Sequence, residues 1–275
     1  WWPAGSGEGR SPTLYPLVVE LVGSGGSTTD SYTVTIGIRT ISVQPNGITV
    51  NGELVYLRGA DCHQDAPVRG HGIDMAAVVH TMNSMRALGM NSFRFNSWPA
   101  PEELLELCDR HGFLVQEEVP AIAFRGGWDP ACPAHVEGGL YNPAGRCANA
   151  STLAAHSDAL AELITRDQNH PSVGSWSLAN EPDVNAYVTS DAATSCADPG
   201  AVDYFQQLRA VAKAVDVQHR PVTVEMDGAC YDFVRLVDLD LISIHNYPGW
   251  YDLSPILNVT STMSTFIQGW AAGVP

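Results

Sequence analysis

The sequence is poor in positive charge: 14 Lys and Arg stand against 30 Asp and Glu in 275 residues, a formal net charge of -16. Such a balance repels phosphate backbones and anionic headgroups, so neither nucleic acid nor an acidic membrane surface is expected as a partner. Long apolar runs are scarce as well. None reaches the roughly eighteen residues that mark a membrane span, and Trp1-Trp2-Pro3 lacks the basic start and apolar stretch of a signal peptide. Cysteines occur at 62, 108, 132, 147, 196 and 230, never in the Cys-x-x-Cys spacing that metal sites prefer. Metal binding through these cysteines is not expected. What is present, 45% hydrophobic and 16% charged residues, is ordinary for a globular protein and excludes disorder over most of the chain.

The segment 124–150 is rich in Gly and Pro and reads as a loop; a bridge between Cys132 and Cys147 would restrain it. Cys108 lies on an apolar helical face and reads as a small core residue. Asn149-Ala150-Ser151 and Asn258-Val259-Thr260 are glycosylation sequons. With the acidity and the loop cysteines they point to a secretory route, extracellular or lysosomal/vacuolar.

Residues 1–43 alternate apolar and polar positions in two short runs, Leu17 to Val22 and Tyr32 to Ile38, around the Gly/Ser/Thr turn 23–29. This is a hairpin pattern, and a lone hairpin buries too little to stand by itself, so it reads as part of a β-sandwich. A second hairpin over Ile48 to Tyr56 turns at Asn51-Gly52, the pair favoured in type I′ turns. Beyond it strands and helices alternate, which predicts a parallel sheet with crossover helices. The expected strands are Val55–Arg58, Ser92–Asn96, Phe113–Glu118, Gly174–Leu178, Pro221–Glu225 and Leu241–His245. The expected helices are Asp74–Leu88, Pro101–Arg110, Leu153–Arg166, Ala201–Val215 and Pro255–Trp270, each with apolar residues at helical spacing.

The most informative stretch runs from Arg166-Asp167-Gln168-Asn169-His170-Pro171 to Trp176-Ser177-Leu178-Ala179-Asn180-Glu181-Pro182. Proline stops the helix, an apolar strand follows, and an amide and a carboxyl fall on the loop just past its C-terminal end. That end carries the chemistry in a (β/α)8 barrel. The stretch resembles the acid/base signature of glycoside hydrolase family 2. Leu57-Arg58-Gly59-Ala60-Asp61-Cys62-His63-Gln64-Asp65-Ala66-Pro67-Val68-Arg69-Gly70-His71-Gly72 resembles the first strand and loop of the β-glucuronidases in that family, with Gln64 in place of a Glu and His71 in place of a Lys. Leu88 to Arg94 with Pro101 to Gly112, and His245-Asn246-Tyr247-Pro248-Gly249-Trp250-Tyr251, are similar to its second strand and helix and its sixth-strand loop.

The resemblance implies an α/β fold, a (β/α)8 TIM barrel, and a retaining β-glycosidase that needs two carboxyl groups and water, and so no cofactor and no metal. Six strands are counted where eight are needed. The chain is therefore expected to hold the end of an immunoglobulin-like sandwich over 1–43 and barrel strands one to six over 44–275, with the last two strands and the nucleophilic Glu beyond Pro275. Such a piece is expected to be catalytically silent and marginally stable. By resemblance Glu181 is the general acid/base and Asn180 binds the sugar 2-hydroxyl. His63, Asp65, Ser97, His245, Tyr247 and Tyr251 are candidate substrate contacts, and Arg94 and Glu118 are structural residues near the site. Glu117, Glu118 and Glu225 are the acids to weigh as internal nucleophiles. Arg69 reads as an ion-pair partner. Two departures touch the sugar pocket: Ser97 stands where the family usually has His, and His245 where β-glucuronidases usually have Asn. The expected partner is a β-glycoside small molecule or oligosaccharide, with a homo-oligomer for the full-length protein. A β-galactosidase or β-mannosidase, and a degenerate homologue that only binds carbohydrate, are the alternatives.

Overall fold

The computed structural model describes residues 1–63, 65–66, 68–121, 150–182, 184, 196–227, 230–245 and 247. The expected helix Pro255–Trp270, Tyr251, both sequons' asparagines and the pair Cys132 and Cys147 lie outside the described residues.

The first two strands, β1 (Tyr15–Val22) and β2 (Thr28–Ile36), form an antiparallel hairpin with Tyr15 opposite Ile36 and an irregularity at Leu21/Val22. All eight residues of β1 are exposed. A three-stranded antiparallel sheet follows, β3 (Ile41–Gln44), β4 (Gly47–Val50) and β5 (Glu53–Leu54), and Asn51-Gly52 makes the turn between β4 and β5 with both residues at positive φ.

The main sheet has six strands. They are β6 (Gly59–Cys62), β7 (Ser92–Phe95), β8 (Leu114–Glu118), β9 (Val173–Asn180), β10 (Val222–Met226) and β11 (Ser243–Ile244), ordered β11-β10-β9-β8-β7-β6. The pairs β6–β7, β7–β8 and β10–β11 run parallel. Between them lie α1 (Met75–Ala87), α2 (Glu102–His111), α3 (Ala150–Asp167), α4 (Pro199–Val215) and α5 (Tyr231–Val237). Every residue of β9 and β10 is buried, the mark of strands covered on both faces.

Helix ends follow local chemistry. Asp74 caps α1 by accepting from the backbone N–H groups of Ala76 and Ala77. Helix α2 has Glu102 and Glu103 in its first turn and Arg110 and His111 in its last, and stops at Gly112, whose φ is +76. A Cβ at Gly112 would also lie 2.7 Å from the backbone nitrogen of Ala4, so glycine is required there twice over.

Three expectations are corrected. The first barrel strand is Gly59–Cys62, not Val55–Arg58. The Val55 N–H donates to Ile48 O (2.9 Å) and the Arg58 N–H to Asn91 Oδ1 (2.8 Å), which ties this segment to other partners before the ladder starts. The ladder begins at Gly59, where a Cβ would fall 2.2 Å from Ser92 Oγ. The fourth strand extends to Asn180, so this amide lies on the strand end and not on the loop. Helix α5 had no expectation at all; at seven residues it is too short to show a period.

The chain divides into two compact units. One comprises Trp1–Val119, Ala161–Trp176 and Lys213–Pro221; the other comprises Pro120–Leu160, Ser177–Ala212 and Val222–Pro275. In the first, Arg220 pairs with Asp216 (2.7 Å), Asp216 accepts from Trp176 Nε1 (2.8 Å), and Arg39 donates to the carbonyls of Pro171 and Val173 (2.8 and 2.7 Å). Cys108, fully buried, is a core residue of this unit, and burial pushes its thiol well above the usual range. In the second, Tyr204, Phe205 and Phe233 stack edge to face.

Candidate active site

In the second unit β9 ends in a polar step. The Asn180 N–H donates to Ala121 O (2.8 Å) and the Glu181 N–H to Glu225 O (2.7 Å), so the hydrogen-bond ladder runs one residue past the strand. Glu181 itself takes φ +49, in the left-handed region that non-glycine residues avoid, and Pro182 follows. Backbone conformations of this kind gather at functional sites.

The Glu181 carboxyl meets an imidazole that also reaches a second carboxyl. His245, just after β11, lies with Nδ1 2.6 Å from Glu181 Oε1 and Nε2 3.4 Å from Glu225 Oε2. Glu225, on β10 and 2% exposed, accepts from Ser243 Oγ at 2.5 Å. The Tyr247 ring packs edge-on to His245, centroids 5.7 Å apart. Glu181, with its side chain 24% exposed, is more open to solvent than His245 or Glu225. The arrangement presents a carboxyl that can exchange protons with a bound molecule, backed by an imidazole and a second, buried carboxyl.

In the same unit a disulfide joins Cys196 to Cys230, Cα atoms 5.7 Å apart. It ties the start of α4 to the start of α5, after the strands that carry Glu181 and Glu225. Asp198 caps α4 through the N–H groups of Gly200 and Ala201. His156 is fully buried between Tyr204 (3.1 Å) and the Leu178 carbonyl (2.9 Å), and burial lowers its pKa to about 4.

The other expected residues lie in the first unit. Arg94 bridges Asp61 and Glu118, each at 2.9 Å. Glu118, fully buried, also accepts from the Ser97 N–H (2.6 Å) and Oγ (3.2 Å), holding Ser97 at φ +63. Glu117 is fully buried, accepts from the Ala100 N–H (3.2 Å), and is pushed up to about 8 by desolvation and by the charge of Asp167. At neutral pH it is largely protonated, which unsuits it to nucleophilic attack. His63 and Asp65 line a cavity of about 270 Å³ with Asp61, Met82, Phe95 and Trp98. Arg69 faces Asp74 at 3.9 Å, both partly exposed.

A profile of the family described as "Glycosyl hydrolases family 2, TIM barrel domain" matches residues 41–271. The chain belongs to glycoside hydrolase family 2. Its six-stranded sheet with intervening helices is thus part of a TIM barrel domain. A β-glucuronidase of Paenibacillus borealis is 40% identical over 239 residues, covering 86% of this chain and 36% of that protein; one from Mus musculus is 34% identical over 272 residues, 98% and 37%. Among solved structures, the β-glucuronidase of Faecalibacterium prausnitzii superposes with a TM-score of 0.74 at 30% identity, covering 99% of this chain and 40% of that one. That of Bifidobacterium dentium, complexed with coumarin-3-O-glucuronide, also gives 0.74 at 30%, covering 94% and 38%. The chain spans little more than a third of the length of these curated relatives.

Of the residues expected at the site, the structure gathers Asn180, Glu181, His245 and Tyr247 in one unit, and His63, Asp65, Arg94, Ser97 and Glu118 in the other. Sequence reasoning missed Ser243 and the contacts of His245 with both Glu181 and Glu225. It also missed the Cys196–Cys230 bridge, because nothing in the spacing of six cysteines singles out a pair 34 residues apart.

Proposed function

We propose that the protein acts as a retaining β-glycoside hydrolase of β-glucuronidase type, with Glu181 as the general acid/base. The observation that carries this reading is the place of Glu181, one residue beyond the C-terminal end of β9, next to Asn180 and partly open to solvent. That is where a barrel displays reacting groups. A carboxyl there protonates the leaving oxygen in one step and takes a proton from water in the next, while Asn180 offers an amide to the sugar. The attacking role is assigned to none of Glu117, Glu118 and Glu225: the first is buried with its pKa pushed up, the second is held by Arg94 and Ser97, and the third by Ser243 and His245.

The similar β-glucuronidases, one of them holding a coumarin glucuronide, support a β-glucuronide as substrate. His63, Asp65, Ser97, Tyr247 and Tyr251 are proposed to shape the sugar pocket in the full-length protein, Arg94 and Glu118 to support it, and residues 1–43 to belong to a preceding sandwich domain. The disulfide supports an oxidising compartment, secretory or lysosomal/vacuolar, with Asn149 and Asn258 as glycan acceptors. A homo-oligomeric assembly is part of the same proposal.

Two measurements on the full-length protein test the reading. Glu181→Gln should lower kcat/KM by about 10²–10⁴ on glucuronides with poor leaving groups, and far less when the leaving group needs no proton. Equal losses on both substrates would remove Glu181 from the acid/base role. A preference for aryl galactoside or mannoside above about tenfold, roughly 1.4 kcal/mol of transition-state discrimination, would end the glucuronidase assignment and leave the family intact.

A further inference from the structure

We propose that His245 and Glu225 form a charged clamp that fixes one oxygen of Glu181, so that the other oxygen alone exchanges the catalytic proton. This rests on the reading of Glu181 as the acid/base. The geometry is contained in three neighbouring strand ends of one unit. His245 Nδ1 sits 2.6 Å from Glu181 Oε1, within charge-assisted hydrogen-bond distance, and its Nε2 faces Glu225 Oε2 at 3.4 Å. Glu225 is itself held by Ser243 Oγ and is 2% exposed, so its position is fixed.

Among the described residues, the groups shown facing the imidazole are the carboxyls of Glu181 after β9 and Glu225 on β10, with the phenol ring of Tyr247 against its edge. An imidazole between two carboxyls is favoured as the cation, with both nitrogens donating. Nδ1–H then occupies Glu181 Oε1, and Nε2–H faces Glu225. Glu181 Oε2, which has no partner among the described residues, is left to meet the leaving oxygen. In the first chemical step the proton on Oε2 passes to the departing oxygen; in the second, Oε2 takes a proton from the attacking water. The two protons on His245 do not move in either step. His245 is therefore a positioning residue, and Glu225 positions it in turn. An asparagine at this place could donate an amide N–H to Oε1 without a charge, so the pair His245 and Glu225 reads as a titratable version of such support.

The test uses three variants of the full-length protein, His245→Ala, His245→Asn and Glu225→Gln, with phenyl and 4-nitrophenyl glucuronides across pH. His245→Ala should lose about 10–100-fold in kcat on the phenyl substrate with KM changed less than about threefold. His245→Asn should recover about tenfold of that loss, because it restores a donor, and its kcat/KM profile should lack one ionisation that the wild type shows. Histidine-selective ¹⁵N spectra provide a readout independent of turnover. In Glu225→Gln the midpoint of the His245 signal should fall by about one pH unit or more. The clamp is overturned if His245→Asn is no better than His245→Ala, or if the His245 midpoint does not respond to Glu225→Gln. Either result leaves the Glu181 reading standing, since that reading fails only when Glu181→Gln loses its leaving-group dependence.

Discussion

The two units bury titratable groups on opposite terms. In the first, Glu117 is sealed in the core and pushed up to about 8. In the second, His156 is sealed against Leu178 and Tyr204 and held down to about 4. Both are neutral at pH 7, and both owe this first to desolvation, which disfavours a charge of either sign. The consequences for stability have opposite slopes. The Glu117 contribution is fully present below its unfolded value of 4.5 and is lost as pH rises toward about 8. The His156 contribution is fully present above its unfolded value of 6.5 and is lost as pH falls toward about 4. One unit is the weaker in alkali and the other in acid, which leaves a window near neutrality where neither is charged.

The comparison can be broken most forcefully at a carboxyl that is charged. Glu118 accepts from Arg94 and from the N–H and Oγ of Ser97, so Glu118→Ala should cost about 3–5 kcal/mol, because it removes the acceptor of three buried or nearly buried donors while Asp61 still pairs with Arg94. Glu181→Gln should move the denaturation midpoint far less, since the Glu181 side chain is partly exposed. Urea titration of the two variants measures the contrast, and a smaller loss for Glu118→Ala than for Glu181→Gln would contradict it.

The next effect is confined to the second unit. Opening Cys196–Cys230 with a reductant should cost about 2–4 kcal/mol, chiefly by freeing the unfolded chain. The double variant Cys196→Ala, Cys230→Ala should match the reduced wild type and show no further response to reductant.

The pH slopes come third. Glu117→Gln copies the neutral acid and should erase the loss of stability between pH 4.5 and about 8 while changing stability at pH 5 by less than about 1 kcal/mol. Denaturation midpoints at pH 5, 6.5 and 8 decide this; a wild-type slope retained in the variant would place the titrating group elsewhere. The smallest effect is expected at the surface. Glu106→Ala removes the exposed i,i+4 pair with Arg110 and should shift stability by no more than about 0.5 kcal/mol.

Much of the frame was legible because its signals are local. Val173 to Asn180 is a buried run that follows Pro171 and closes at Pro182, and Asp74 and Gly112 mark helix ends by their own chemistry. The first barrel strand was misplaced because Val55-Tyr56-Leu57 is the more apolar segment, whereas Gly59 is chosen for how closely it approaches Ser92, a distance no pattern displays. Glu181 was legible as a residue, from its neighbours in the chain. Its setting was not: Glu225, Ser243 and His245 meet it only after strands separated by dozens of residues have paired, and the same holds for Cys196 and Cys230.

Glu181 stands in a backbone conformation, φ +49, that glycine adopts freely and other L-residues adopt at a cost of about 1–2 kcal/mol. For a copy of this gene released from selection for catalysis, the easiest improvement in folding lies at the acid itself. Glu181→Gly should melt higher than Glu181→Ala, so decay of function at this position would run with the grain of stability and not against it.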